Sequence, residues 1–178
     1  MKRSMLALAG LLVASPVAAQ EAHAGHAMQT GAVAGVKGQY DMVKDWTTKA
    51  ADQVSEADYG FKPTPEVRSF GQLIGHVANA NYMFCSTALG EQSPAGQNFE
   101  EVTSKAQLMQ GLRASFTYCD RAYAMTDMKA AEPLTVFGRE ATRLYALEFN
   151  MGHDFEHYGN IVTYMRLKGL VPPSSQGN

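Results

Sequence analysis

Two histidines four residues apart, in the run His153-Asp154-Phe155-Glu156-His157, are the first residues whose type and spacing suggest chemistry. On a helix turning about 100° per residue they share a face, one turn apart, so both imidazoles can reach a single ion. Such a pair also fits a polar surface, so a third ligand decides between the two. His76 is the candidate. It falls at helical spacing with Leu73, Ala80 and Met83, an apolar face that should point inward, where a charged imidazole is costly. There it is either neutral and hydrogen-bonded or a metal ligand. Three imidazoles around a tetrahedral ion leave one position for water or substrate, as in catalytic rather than structural zinc sites. An ion held this way lowers the pKa of its water toward neutrality and polarises a substrate, the chemistry of a metal-dependent hydrolase. Asn150, Asp154, Asn160 and Tyr164 lie near the pair on the helical wheel, either as partners that orient the rings or as ordinary packing and surface positions.

Other residues narrow the field. The formal net charge is −2 and the Lys and Arg residues are scattered, so no basic stripe exists to follow a phosphate backbone, and nucleic acid is not an expected partner. No Gly-rich phosphate loop, serine-nucleophile motif or cofactor fingerprint is present, which leaves the small-molecule substrate unspecified. The two cysteines, Cys85 and Cys119, cannot make a zinc finger. In an oxidising compartment they either form a bridge or stay as two thiols, and Cys85, about 180° around its helix from His76, is no metal ligand in either state. His23 and His26, with Met28, suit a soft metal such as copper or simply belong to a small-residue tail.

The elements that must position the histidines can be read from capping and periodicity. Lys2 and Arg3, the apolar run Met5 to Val13 and the small residues up to Ala19 form a secretory signal over residues 1–19, too short to span a membrane as a stable anchor. Residues 20–32 form a leader without hydrophobic periodicity, residues 33–173 form one domain, and residues 174–178 form a tail. Within the domain, Val36, Tyr40, Val43, Ala50 and Val54 mark a first helix that reaches about Ala57. Pro63 and Pro65 impose a loop. Ser69 with Gln72 reads as a capping box opening a second helix that stops at Gly90, and Ser104 with Gln107 repeats the signal for a third that ends near Asp127. A fourth runs from about Arg139 to Lys168. With no alternating strand pattern, the expected fold is an all-α four-helix bundle. The fourth helix carries Leu144, Met151, Phe155 and Val162 opposite Ala146, Phe149, His153, His157 and Tyr164, so both faces need cover, from another helix or from a second subunit.

The stretch Ser69-Phe70-Gly71-Gln72-Leu73-Ile74-Gly75-His76-Val77-Ala78 is similar to the DinB-like family of damage-inducible metalloproteins. So is His157-Tyr158-Gly159-Asn160-Ile161 with Tyr164-Met165-Arg166, Gly169 and Pro172-Pro173 behind it. The resemblance extends from about Val33 to Pro173. It implies a four-helix bundle, commonly a homodimer, with His76, His153 and His157 as ligands of one divalent ion, zinc or nickel first and iron or manganese otherwise. Glu156, Tyr158 and Asn160 stand where the family often has His, Arg and Gln, so no anion contact can be assigned from the motif. Cytosolic relatives transfer low-molecular-weight thiols, a pool that an exported protein lacks. The expectation is therefore a periplasmic metal-dependent hydrolase or related enzyme, with a non-catalytic metal-binding or stress-related envelope protein as the alternative.

Overall fold

The helix that carries His76 begins where the capping signal puts it. In the computed structural model, which describes residues 30–177, Gln72 N donates to Ser69 Oγ at 3.2 Å and Ser69 N donates to Gln72 Oε1 at 2.9 Å. These two bonds satisfy backbone donors that a helix start leaves free, and α2 then runs over Phe70–Leu89. Gly90 ends it in the left-handed region, at φ 74°. The secretory signal and His23, His26 and Met28 lie outside the described residues.

The other long helices are α1 over Ala32–Gln53, α3 over Lys105–Ala122 and, after a short α4 over Asp127–Ala130, α5 over Arg143–Leu167. The chain is an all-α bundle in which α2 packs against α3 and α5, and α5 also packs against α1. Its centre is filled by Tyr40 stacked on Tyr123 at 3.8 Å, with Ile74, Phe116, Leu112, Ile161 and Met165 around them, all fully buried. No local side chain caps α1. Instead the Asp127 carboxylate accepts from Ala32 N at 3.2 Å and Val33 N at 2.9 Å, so the start of the first helix is held by the start of α4.

Several expectations need correction. The first helix stops at Gln53, and Glu56–Gly60 forms a 3-10 turn, because Tyr59 tucks into the core and donates to the Ala51 carbonyl at 2.6 Å. The third ends at Ala122, before Asp127 opens α4. The Ser104 cap is present but one-sided: its Oγ accepts from Gln107 N at 3.5 Å, without the return bond. Arg139–Thr142, assigned to the start of the fourth helix, are instead β2 of an antiparallel hairpin, paired with β1 over Pro133–Val136. Its two-residue turn, Phe137-Gly138, has positive φ at both positions, the geometry that suits the right-handed twist of strands. On the second face of α5, Trp46 of α1 meets Phe155 edge-on at 6.3 Å and stacks on Tyr158 at 5.4 Å, while Leu144, Met151, Phe155 and Val162 stay half-buried.

Cys85 and Cys119 are bridged, with Cα atoms 5.2 Å apart, and tie α2 to α3 in the fully buried core. A bridge closing 34 residues restricts the unfolded chain by about 4 kcal/mol on the loop-closure account. Replacing both cysteines by alanine should lower the unfolding free energy by about that amount in denaturant titrations; an unchanged midpoint would contradict the bridge.

Candidate metal centre

The α2–α5 contact brings together the three histidines singled out from the sequence. Their nitrogens lie within 4.8 Å of one another. His153 and His157, one turn apart on α5, have their Nε2 atoms 3.0 Å apart, while the His76 ring on α2 sits 5.1 Å from the first and 4.7 Å from the second, centre to centre. His157 is buried and the other two are half-buried. The apolar face proposed for His76 is only partly inward: Leu73 and Ala80 are buried, but Met83 is 47% exposed. His76 therefore stands at the edge of the core, half-buried.

What fixes His76 is a residue the sequence did not single out. Glu100, in the 3-10 turn Phe99–Glu101, accepts from His76 Nδ1 at 2.7 Å, which leaves Nε2 as the free nitrogen. The same carboxylate accepts from Arg68 Nε at 2.8 Å. The turn can come this close because Gly75, just before His76, has no side chain. A Cβ there would collide with the Phe99 carbonyl and lie 2.8 Å from Glu100 N. Gly111 of α3 makes the matching space for the Phe99 ring, and Asn79 accepts from Phe99 N at 3.0 Å. The signal for Glu100 was thus a glycine beside the histidine rather than anything near residue 100.

Of the residues read as candidates to orient the rings, Asn160 alone comes beside one: its Nδ2 lies 3.4 Å from His157 Nδ1. Asn150 belongs elsewhere, in a buried chain where it donates to Asn81 Oδ1 at 2.8 Å and accepts from Tyr123 Oη at 3.0 Å. Asp154 is fully buried, and burial pushes its carboxyl well above the usual range. Tyr164 donates to the Arg68 carbonyl at 2.7 Å and so acts on the loop before α2. His153 Nδ1 is buried without a hydrogen-bond partner among the described residues, making it the least constrained ring of the three.

The electrostatics favour neutral rings at His153 and His157. Burial, then the neighbouring His157 and His76, push His153 down to about 4; burial, then His76 and Arg68, do the same to His157. For Glu100, desolvation is the largest single influence and acts upward, yet Arg68 and His76 together hold it below the usual carboxylate range. A carboxylate on one histidine and unprotonated nitrogens facing one another form a donor set that fits a borderline divalent ion.

Comparison with known proteins gives the same outline. The family model described as the DinB superfamily matches residues 39–161, which include all three histidines. The uncharacterised protein YjoA of Bacillus subtilis (strain 168) is 25% identical over 131 residues, which cover 69% of this chain and 82% of that protein. Among solved structures, a DinB-like protein from Bacillus cereus ATCC 10987 superposes with a TM-score of 0.69 at 20% identity, covering 78% of this chain and 94% of that one. The structure of Bacillus subtilis YjoA gives 0.64 at 21% identity, over 81% and 99% of the respective chains. At these identities the structures speak for the fold alone.

The depressed histidines carry a pH signature. The unfolded chain takes up protons on His153 and His157 near pH 6.5, whereas the metal-free folded chain resists until about 4. Between those values the unfolded state binds more protons, so stability should fall as pH drops from about 6.5 to about 4. Urea titrations in chelator at several pH values should show a shallower decline in the His153→Gln/His157→Gln double variant. Equal slopes would mean the two rings are not desolvated together.

Proposed function

The chain belongs to the DinB superfamily, and from that membership we propose that it is a metal-binding protein holding one divalent ion on His76, His153 and His157. Zinc or nickel is the first choice, with iron or manganese next. The observation that carries the reading is the convergence of three imidazoles from two helices, with the Glu100 carboxylate already on the far nitrogen of one. Among the described residues, Nε2 of His153 and Nε2 of His157 have each other as their only partner, at 3.0 Å.

We further read the protein as a metal-dependent hydrolase or related metalloenzyme acting in the periplasm. When bound, a divalent ion with three protein ligands supplies Lewis acidity to a substrate oxygen and acidifies water. The chain's own part is positional: Glu100 sets the tautomer of His76, and an open cleft beside His157 admits a small molecule. The signal-like start of the sequence supports export, and the Cys85–Cys119 bridge fits an oxidising compartment.

Purified protein should contain one ion per chain, and His157→Ala should lose it while keeping its helical circular dichroism, because the buried apolar faces rather than the ion hold the bundle. Retention of one tightly held ion by His157→Ala would refute the assignment. Gly75→Ala tests the support beneath the site. Forcing the Phe99–Glu100 backbone away from α2 should cost about 1–3 kcal/mol of stability and weaken metal binding about 10- to 100-fold against a competing chelator. Glu100→Gln should weaken it similarly without the packing cost.

A further inference from the structure

The cleft beside the histidines has a chemical character of its own. It encloses about 740 Å³, and its lining includes Lys62, Arg68, Leu73, His157, Asn160 and Tyr164. Resting on the metal-centre reading above, we propose that this cleft takes a small carboxylate- or phosphate-bearing molecule, and that Arg68 is the residue that receives its anionic end.

Arg68 is built in from three directions. Its Nε donates to Glu100 Oε2 at 2.8 Å, so the guanidinium and the His76 ring hang from one carboxylate and keep a fixed spacing. Its carbonyl accepts from Tyr164 Oη on α5, at 2.7 Å. Its backbone directly precedes Ser69, the cap of α2. Its two terminal amino groups have no protein partner among the described residues, and a planar pair of N–H groups matches the two oxygens of a carboxylate or phosphate. The Arg68 side chain is 43% exposed on the cleft, so a ligand arriving from solvent can reach the fork.

Charge balance points the same way. Three neutral imidazoles cancel none of a divalent ion's charge, and a half-buried dication is costly without a counter-charge nearby. Of the two carboxylates in the lining, Glu100 is already shared by Arg68 and His76, and Glu66 is exposed on the rim. Lys62 adds a second cation at the mouth. An anionic ligand would bring negative charge to the open side of the ion. Val67, 39% exposed, gives the wall an apolar patch, so the molecule carries a hydrocarbon portion as well as its anion.

The test is calorimetric titration of the mature protein, cobalt-loaded and metal-free, with inorganic phosphate, acetate and neutral acetamide. Wild type should bind the two anions saturably and acetamide not at all. Arg68→Gln should weaken anion binding about 10- to 100-fold, and Arg68→Lys, which keeps the charge but loses the fork, should fall between. Metal content is measured on every sample, so failure of the metal centre is seen separately. If wild type loads no cobalt, or Arg68→Gln loses it, the metal-free titrations decide: Arg68-dependent anion binding there sustains the proposal. Anion affinity that is equal in wild type and Arg68→Gln, or acetamide binding as well as acetate, overturns it.

Discussion

The register between α2 and α5 decides whether the three imidazoles meet. The two helices run antiparallel, and a slip of one turn would move His76 about 5.4 Å along the axis, far outside the reach of a shared ion. Apolar contact alone tolerates such slips. The chain instead places a buried amide pair across the interface, Asn150 donating to Asn81 Oδ1 at 2.8 Å, where only one alignment satisfies both groups. Tyr123 Oη donates to Asn150 Oδ1 at 3.0 Å, and the Asn81 amide also lies 3.2 Å from Ser115 Oγ and from the buried Asp154 carboxyl. Further along, the Arg143 side chain reaches the Ala88 carbonyl, a second tie across the same two helices. The disulfide then fixes α2 against α3, and Trp46 holds α5 against α1.

On this frame the loop between α2 and α3 behaves as part of the site. Phe99 is clasped by two positions that lack side chains, Gly75 and Gly111, which lie on different helices. The close approach turns an otherwise polar connection into the mount for Glu100, and through Glu100 for both His76 and Arg68. His76 and Arg68 are therefore positioned by one carboxylate, so a change in either partner is felt by the other.

Much of this was legible in the sequence, for identifiable reasons. The capping pair Ser69 and Gln72 and the stop at Gly90 are local signals whose physics is complete within a few residues, and they place α2 correctly. The i, i+4 spacing of His153 and His157 needs only a helix to become a pair. Glu100 and Arg68 were not legible, because their roles depend on contacts 24 and 32 residues away in the chain, which periodicity cannot carry. The hairpin was hidden for another reason. Its turn uses Phe137-Gly138 in place of the more usual Asn-Gly, and its strands are four residues each, too short to interrupt the helical pattern that follows.

The bridge between Cys85 and Cys119 is fully buried, and thiol exchange needs a thiolate to reach a sulfur along an open path. Small reductants therefore act on it only through openings of the core, at a rate set by the protein's own unfolding rather than by the surrounding redox potential. The oxidation state is chosen once, while the chain folds, and is then kept. A folded molecule thus carries a durable record of the compartment in which it was assembled, even after it has been moved to another.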